Sequence, residues 1–221
     1  MFKKEAARLA AELAKQPVEK LSPLLNIGSS TLEFRTKSQP WVDELLIRPL
    51  VERGVKVVHV DIREGDGIDI RADLLKDDDY ALLKAQKPRA VLLCNILEHV
   101  LDPATFARRA LDLLVPGGRL YVTVPNSYPH HNDPIDTMFR PTPEEVAALA
   151  PEAELDGGEV IDTGSYWDEL KKRPWIITRQ IFRAPFPFLG FTKWKRSMKK
   201  LYWLAYPYKV TLAVLRRPEA A

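Results

Sequence analysis

Apolar residues gather in four short blocks along the chain, at 24 to 27 (LLNI), 55 to 60 (VKVVHV), 90 to 94 (AVLLC) and 119 to 124 (RLYVTV). Each is brief and mostly apolar, the pattern of a strand covered on both faces. Between them the apolar spacing widens to three and four residues, at about 41 to 53 (WVDELLIRPLVER) and 103 to 115 (PATFARRALDLLV), which predicts helices. Asp102 suits the cap of the second helix and Pro103 its first turn, while Pro116, Gly117 and Gly118 stop it and turn the chain into the next strand. The strand-helix-strand alternation predicts an α/β fold with a right-handed, doubly wound, mostly parallel sheet of Rossmann-like type.

The flanks complete this frame. Residues 1 to 20 read as an amphipathic helix, charged throughout, without the apolar block or small-residue cleavage site of a secretory leader. A helix follows Thr142, at about 143 to 150. Residues 158 to 166 and 208 to 216 read as two late strands forming an antiparallel hairpin, separated by an insertion over 167 to 207. At 221 residues and 46% hydrophobic, the chain has material for one sizeable core, so a single domain spanning 1 to 221 is expected. No run approaches the roughly 20 apolar residues that cross a bilayer, and Cys94 is the sole cysteine, so a reducing cytoplasm is the expected location.

Charge changes the picture of the insertion. Residues 171 to 217 hold 13 Lys or Arg and no Asp or Glu; without them 20 basic residues face 30 acidic ones, a net −10 for the remainder. Aromatic residues interleave with these cations, among them Trp175, Phe186, Phe188, Trp194, Tyr202 and Trp203. Such a mixture suits an interfacial helix on an anionic membrane or a lid that stacks on a sugar or nucleobase and holds a phosphate. Nucleic acid ranks third, because the acidic body repels phosphates. Simple packing of the aromatics, with the cations as a solvated face, accounts for part of the pattern.

In an open parallel sheet, ligands sit beyond the carboxyl ends of the strands, so the residues directly after each apolar block carry the candidate chemistry. After the first come Asn26, Ile27, Gly28, Ser29, Ser30 and Thr31, where glycine permits close approach of a ligand. After the second comes Asp61, placed to accept both hydroxyls of a ribose; further on Asp73 suits an exocyclic amine or a helix cap. After the third come Asn95, Glu98 and His99. The loop after the fourth carries His130 and His131, with Asp133 and Asp136 as groups able to orient an imidazole.

LLNIGSS, VVHVDI, RADL, CNILEHVLDP and LLVPGGRLYVTVPN, in that order over about residues 20 to 150, resemble the motifs of class I S-adenosylmethionine-dependent methyltransferases, the small type 11 kind above all. The resemblance implies S-adenosyl-L-methionine as cofactor, with Gly28 and its neighbours Asn26 and Ser29 at the methionine moiety, Asp61 at the ribose, Asp73 at the adenine, Asn95 at the cofactor and His99 near the methyl. This chain departs from the family in having Ser29, Ser30 and Thr31 where further glycines are usual, followed by a charged loop up to Pro40. A nicotinamide enzyme would need three spaced glycines to seat a pyrophosphate, and only Gly28 is present.

Methyl transfer requires no metal, and Glu98 with His99 lacks a third ligand at a spacing readable in the sequence, so no metal is expected. A hydroxyl acceptor must lose its proton, a task for His99, His130 or His131. The expected function is methyl transfer to a small or glycan-like acceptor at oxygen. The alternative is a catalytically inactive module of the same fold that attaches to a membrane or anionic partner.

Overall fold

The computed structural model describes residues 1–131, 135–172, 175–176, 178, 182 and 191–219, without the side chains of 169, 193, 196 and 197. Contacts divide the chain into two compact units, residues 1–161 with 210–221, and residues 162–209.

The larger unit is built on a sheet whose strands are β1 (Leu24–Ile27), β2 (Val57–Asp61), β3 (Ile70–Arg71), β4 (Ala90–Cys94), β5 (Arg119–Ser127), β6 (Glu154–Gly164) and β7 (Tyr208–Arg216), in the order β3-β2-β1-β4-β5-β7-β6. The first five run parallel: Asn26 pairs with His59 on one side and Leu92 on the other, and Leu92 with Tyr121. The order reverses between β1 and β4, which makes the carboxyl ends of those two strands the switch point where doubly wound sheets hold ligands. β7 runs against β6: Glu154 is paired with Arg216 at one end, and the Thr163 hydroxyl donates to the Tyr208 carbonyl at the other. This is the late antiparallel hairpin expected from the sequence.

Both faces of the central strands are dry. Leu25, Ile27, Val91, Leu93, Leu120 and Val122 fill one layer, and Leu24, Ala90, Leu92 and Tyr121 the other. The first is closed by α5 (Pro103–Leu113), which presents Phe106, Ala110 and Leu113 to it. The second is closed by α1 (Lys3–Ala14), through Leu9 and Leu13, and by a helical run of α2 (Pro40–Val42), a π-wound segment Asp43–Ile47 and α3 (Arg48–Glu52). Asp102 accepts from the Thr105 N–H at 3.0 Å with Pro103 at the first position, and Thr142 and Glu145 form a reciprocal capping box on α6 (Pro143–Ala147). Between β3 and β4 lies α4 (Asp77–Lys84), whose acidic first turn complements the helix dipole.

Two expectations are corrected. The stretch from Thr31 to Pro40 is not a loop but a helical turn with a π-wound segment, Phe34–Ser38, started by the Thr31 hydroxyl accepting from the Phe34 N–H. The late strand begins at Glu154 and ends at Gly164, not at 158 and 166, because Gly157 and Gly158 stay in the ladder. Beyond it Ser165 and Asp168 cap α7 (Tyr166–Lys172).

The smaller unit contains α7 and α8 (Phe191–Ala205), which contact each other. Most of 173–190, including Phe186 and Phe188, lies outside the described residues. Among the described residues no helix is long and apolar enough to cross a membrane.

Leu92 sits fully buried on the central strand between Asn26 and Tyr121. Leu92→Ala is expected to destabilise the chain by about 2–5 kcal/mol through lost burial and a residual cavity. Urea unfolding checks this: the midpoint falls while the slope stays unchanged.

Candidate functional site at the carboxyl edge of the sheet

At the switch point the backbone turns left-handed at three positions, two after β1 and one after β4. Gly28, Ser30 and Asn95 adopt φ of 69°, 56° and 54°, a left-handed region in which only glycine, and to a lesser degree asparagine, sits without strain. Gly28 is exposed, and a Cβ there would lie 2.6 Å from Cδ1 of Ile96, so the turn has room for backbone alone. Ser30 is held in place from two sides. Its N–H donates to Asp61 Oδ2 at 2.8 Å, and its carbonyl accepts from the buried guanidinium of Arg35, which also donates to the carbonyls of Ser29 at 3.2 Å and Gly67 at 2.8 Å. Ser29 is buried, its N–H spent on Val60 O and its hydroxyl on Ser30 O.

Asp61, nearly buried at the end of β2, also accepts from the Arg63 N–H at 3.0 Å. Each of its oxygens keeps a lone pair for a ligand hydroxyl. Asp73 accepts from the Leu75 N–H at 3.0 Å, and its own N–H donates to Asp79; it therefore organises the entry to α4 while remaining half-buried. Asn26 faces sideways within the sheet, its amide 3.2 Å from Nδ1 of His59, and does not extend beyond the strand end. Asn95 donates its amide to Oε1 of Glu5 at 2.7 Å and its N–H to Thr123 O at 2.8 Å.

Three titratable side chains, Glu98, His99 and His131, converge next to this edge. Leu97–His99 forms a single 3₁₀ turn after β4, and the loop after β5 folds back on it: the Thr137 N–H and hydroxyl both donate to the Glu98 carbonyl, at 2.9 and 3.1 Å. His99 Nδ1 bonds to the Ile135 carbonyl, an acceptor only, so Nδ1 carries the proton and Nε2 presents a lone pair. That nitrogen lies 3.7 Å from Glu98 Oε1, and the His131 ring stands edge-on to His99 with centroids 5.2 Å apart. Glu98 is buried, its Oε2 has no hydrogen-bond partner among the described residues, and burial pushes its carboxyl up to about 7.

His131 is set by Asp136, whose Oδ2 lies 3.0 Å from Nδ1 and accepts from the His131 N–H at 3.1 Å. Burial would raise the Asp136 carboxyl, but the hydrogen bonds from Arg140, at 2.6 Å, and from the N–H groups of His131 and Met138 hold it well below the usual range. Burial lowers His131 against the pull of Asp136. His130 is exposed and is not one of the converging groups; Asp133 lies outside the described residues.

One atom each from Glu98, His99 and His131 lies within 4.8 Å of the other two, a grouping that could hold a divalent ion. The third ligand that no spacing revealed is thus supplied by the fold. Three further groups escaped sequence reasoning. Arg35 was taken for part of a charged loop. His59 looked like an ordinary strand residue; burial foremost, then Arg35, takes its imidazole down to about 4. Glu5 had a signal: with Leu9 and Leu13 it falls on one helical stripe at intervals of four, where a buried acid needs a partner.

A family model described as a methyltransferase domain matches residues 5–143, well over half of the chain. The chain belongs to this methyltransferase family. No curated protein matches the sequence. Several solved structures are similar in fold. The Burkholderia thailandensis 1,6-didemethyltoxoflavin-N1-methyltransferase, with its substrate and S-adenosylhomocysteine, is 15% identical at TM-score 0.53, over 98% of this chain and 80% of that one. Coclaurine N-methyltransferase with N-methylheliamine and S-adenosylhomocysteine is 11% identical at TM-score 0.53, over 95% and 72%. The [4+2]-cyclase SpnF is 15% identical at TM-score 0.52, over 97% and 82%. At these identities the likeness is one of fold. Methyltransferases of this family take their methyl group from S-adenosylmethionine. The groups at the switch point fit that cofactor: a nearly buried carboxylate, Asp61, with lone pairs for a diol, and a left-handed glycine turn without a side chain.

Glu98 yields a pH prediction. Its folded pKa lies above the unfolded value of 4.5, so its contribution to stability is full below about 4.5 and is lost as pH rises through about 7. Glu98→Gln is expected to gain on the wild type across that window by roughly 3 kcal/mol. Asp136 acts in the opposite sense and only in acid, so it drops out of the difference. Unfolding free energies of both proteins at a series of pH values check this; a constant difference from pH 5 to 8 would contradict it.

Proposed function

We propose that this chain transfers the methyl group of S-adenosylmethionine to an oxygen of a small or glycan-like acceptor, with a histidine of the His99–His131 pair as general base. The observation that carries the proposal is the meeting of Glu98, His99 and His131 beside the strand ends that bear Gly28, Asp61 and Asn95. The cofactor supplies an electrophilic methyl carbon and a neutral thioether leaving group. Asp61 would hold the ribose hydroxyls, the Gly28 turn with Ser29 and Asn26 behind it the methionine end, Asp73 the adenine amine, and Asn95 the cofactor's flank.

With cofactor and acceptor bound, an imidazole would take the proton that the acceptor hydroxyl must lose on methylation. His99 is equipped for that role, with Nδ1 locked as donor to Ile135 and Nε2 free to receive. The imidazolium that results would lie 3.7 Å from Glu98, whose carboxylate offsets the new charge. His131, oriented by Asp136, is the second candidate; His130, out in solvent, is the weakest of the three. In this reading the basic segment 171–217 belongs to the acceptor side and meets an anionic membrane surface, consistent with a cytoplasmic enzyme that works on the inner face of the membrane.

Calorimetric titration with S-adenosylmethionine and S-adenosylhomocysteine tests the proposal. Wild type is expected to bind both, and Asp61→Ala to lose about 1.5–3 kcal/mol of affinity. His99→Ala and His131→Ala should keep that affinity, and the one that is the base should lose about 10²–10⁴-fold in kcat with a saccharide acceptor. No cofactor binding by the wild type would sink the proposal in favour of the non-catalytic module.

A further inference from the structure

We propose that α8, Phe191–Ala205, is a lipid-facing helix that lies in the plane of an anionic membrane. The inference deepens the reading of segment 171–217 as the membrane contact and does not depend on methyl transfer. Along α8 the residues Phe191, Trp194, Met198, Leu201, Tyr202 and Ala205 recur at intervals of three and four and form one continuous apolar stripe. In an ordinary helix of a soluble domain that stripe is the buried one. Here much of it is open: Phe191 is 62% exposed, Tyr202 53% and Leu201 38%, Ala205 is exposed, and Tyr206 just beyond is 50% exposed, while Trp194 and Met198 are half-buried.

Within its own unit the helix is fixed by other residues. Trp203 packs at 5.5 Å between centroids on Tyr208, and Lys200 lies over the Tyr166 ring. The exposed stripe therefore remains outside while the helix is anchored. Lys195 and Lys199 border it, both exposed, and the sequence adds Lys193 and Arg196 to the helix, which contains no acid. Residues 171–217 contain no Asp or Glu.

The combination selects the ligand. Cations alone would suit any polyanion, but a soluble polyanion would leave Phe191, Leu201 and Tyr202 in water. An anionic bilayer takes both features at once: the apolar stripe enters the boundary between headgroups and acyl chains, tyrosine and tryptophan sit at headgroup depth, and the bordering lysines meet lipid phosphates and carboxylates.

Co-sedimentation of the full chain with vesicles of phosphatidylcholine containing about one quarter phosphatidylserine tests this. Binding is expected at about 0.02 M salt, to fall at least about tenfold by about 0.5 M, and to be absent from pure phosphatidylcholine. The charge-neutral triple variant Phe191→Ser, Leu201→Ser, Tyr202→Ser should lose about tenfold or more, and so should Lys195→Glu with Lys199→Glu. No binding to the anionic vesicles at low salt overturns the proposal. So does full binding by the triple variant, which would mark α8 as a site for polyanions in general, including single-stranded nucleic acid. Cofactor titration of the same preparations separates the two proposals: intact cofactor affinity with no vesicle binding removes the lipid face alone.

Discussion

The carbonyl oxygens of Ser29, Ser30 and Gly67 converge on one guanidinium, that of Arg35, and much of the site depends on this contact. The turn after β1 has to change hand at Gly28 and again at Ser30, and only the first position is a glycine. A serine at φ 56° is strained, and such strain persists only where the surroundings over-determine it. Here Asp61 fixes the Ser30 N–H and Arg35 its carbonyl. The Asp61 carboxylate, proposed above for the ribose, is therefore also a structural member of the turn after β1. Burying the guanidinium carries a desolvation penalty, visible as a lowered Arg35 pKa, and the nearby Asp69, Asp43 and Asp61 offset it.

The same accounting extends across the dry centre of the sheet. Strands covered on both faces cannot hold an unpartnered polar side chain without loss of stability. Asn26 and His59 satisfy each other across β1 and β2, and Glu5 is matched by the amide of Asn95 and the N–H of Phe2. Reactive groups are thereby displaced to the carboxyl ends. Among the described residues the Tyr121 and Thr123 hydroxyls of β5 and one oxygen of Glu98 are buried without a hydrogen-bond partner, and of these Glu98 lies 3.7 Å from the His99 imidazole.

The parts of this arrangement that follow from local chemistry could be read from the sequence. Four apolar blocks became β1, β2, β4 and β5, Asp102 and Thr142 cap the helices expected after them, and Gly117 turns with φ 74° where the glycine pair stood. What could not be read depends on distant partners. Arg35 looked like one charge among several because its acceptors are backbone atoms up to 32 residues away. His130 and His131 are indistinguishable as a pair; only the return of the loop, pinned by Asp136 and Thr137, turns one toward His99 and leaves the other in solvent. The strand start at Glu154 was hidden because two glycines interrupt the apolar pattern, while the ion pair with Arg216 that supports it spans 62 residues.

The cluster of Glu98, His99 and His131 raises a choice between handling a proton and holding a cation. Arg140 already donates to Asp136, and its charge bears on Glu98 as well, so the positive charge a bound cation would bring is partly in place. His131 Nδ1 lies within 3.0 Å of Asp136, which leaves Nε2 as the nitrogen facing outward. A carboxyl near 7 beside an imidazole with a fixed tautomer forms a pair that can redistribute one proton at neutral pH. A divalent ion at the same three groups would take Glu98 ionised and both rings neutral, the ion itself supplying the positive charge.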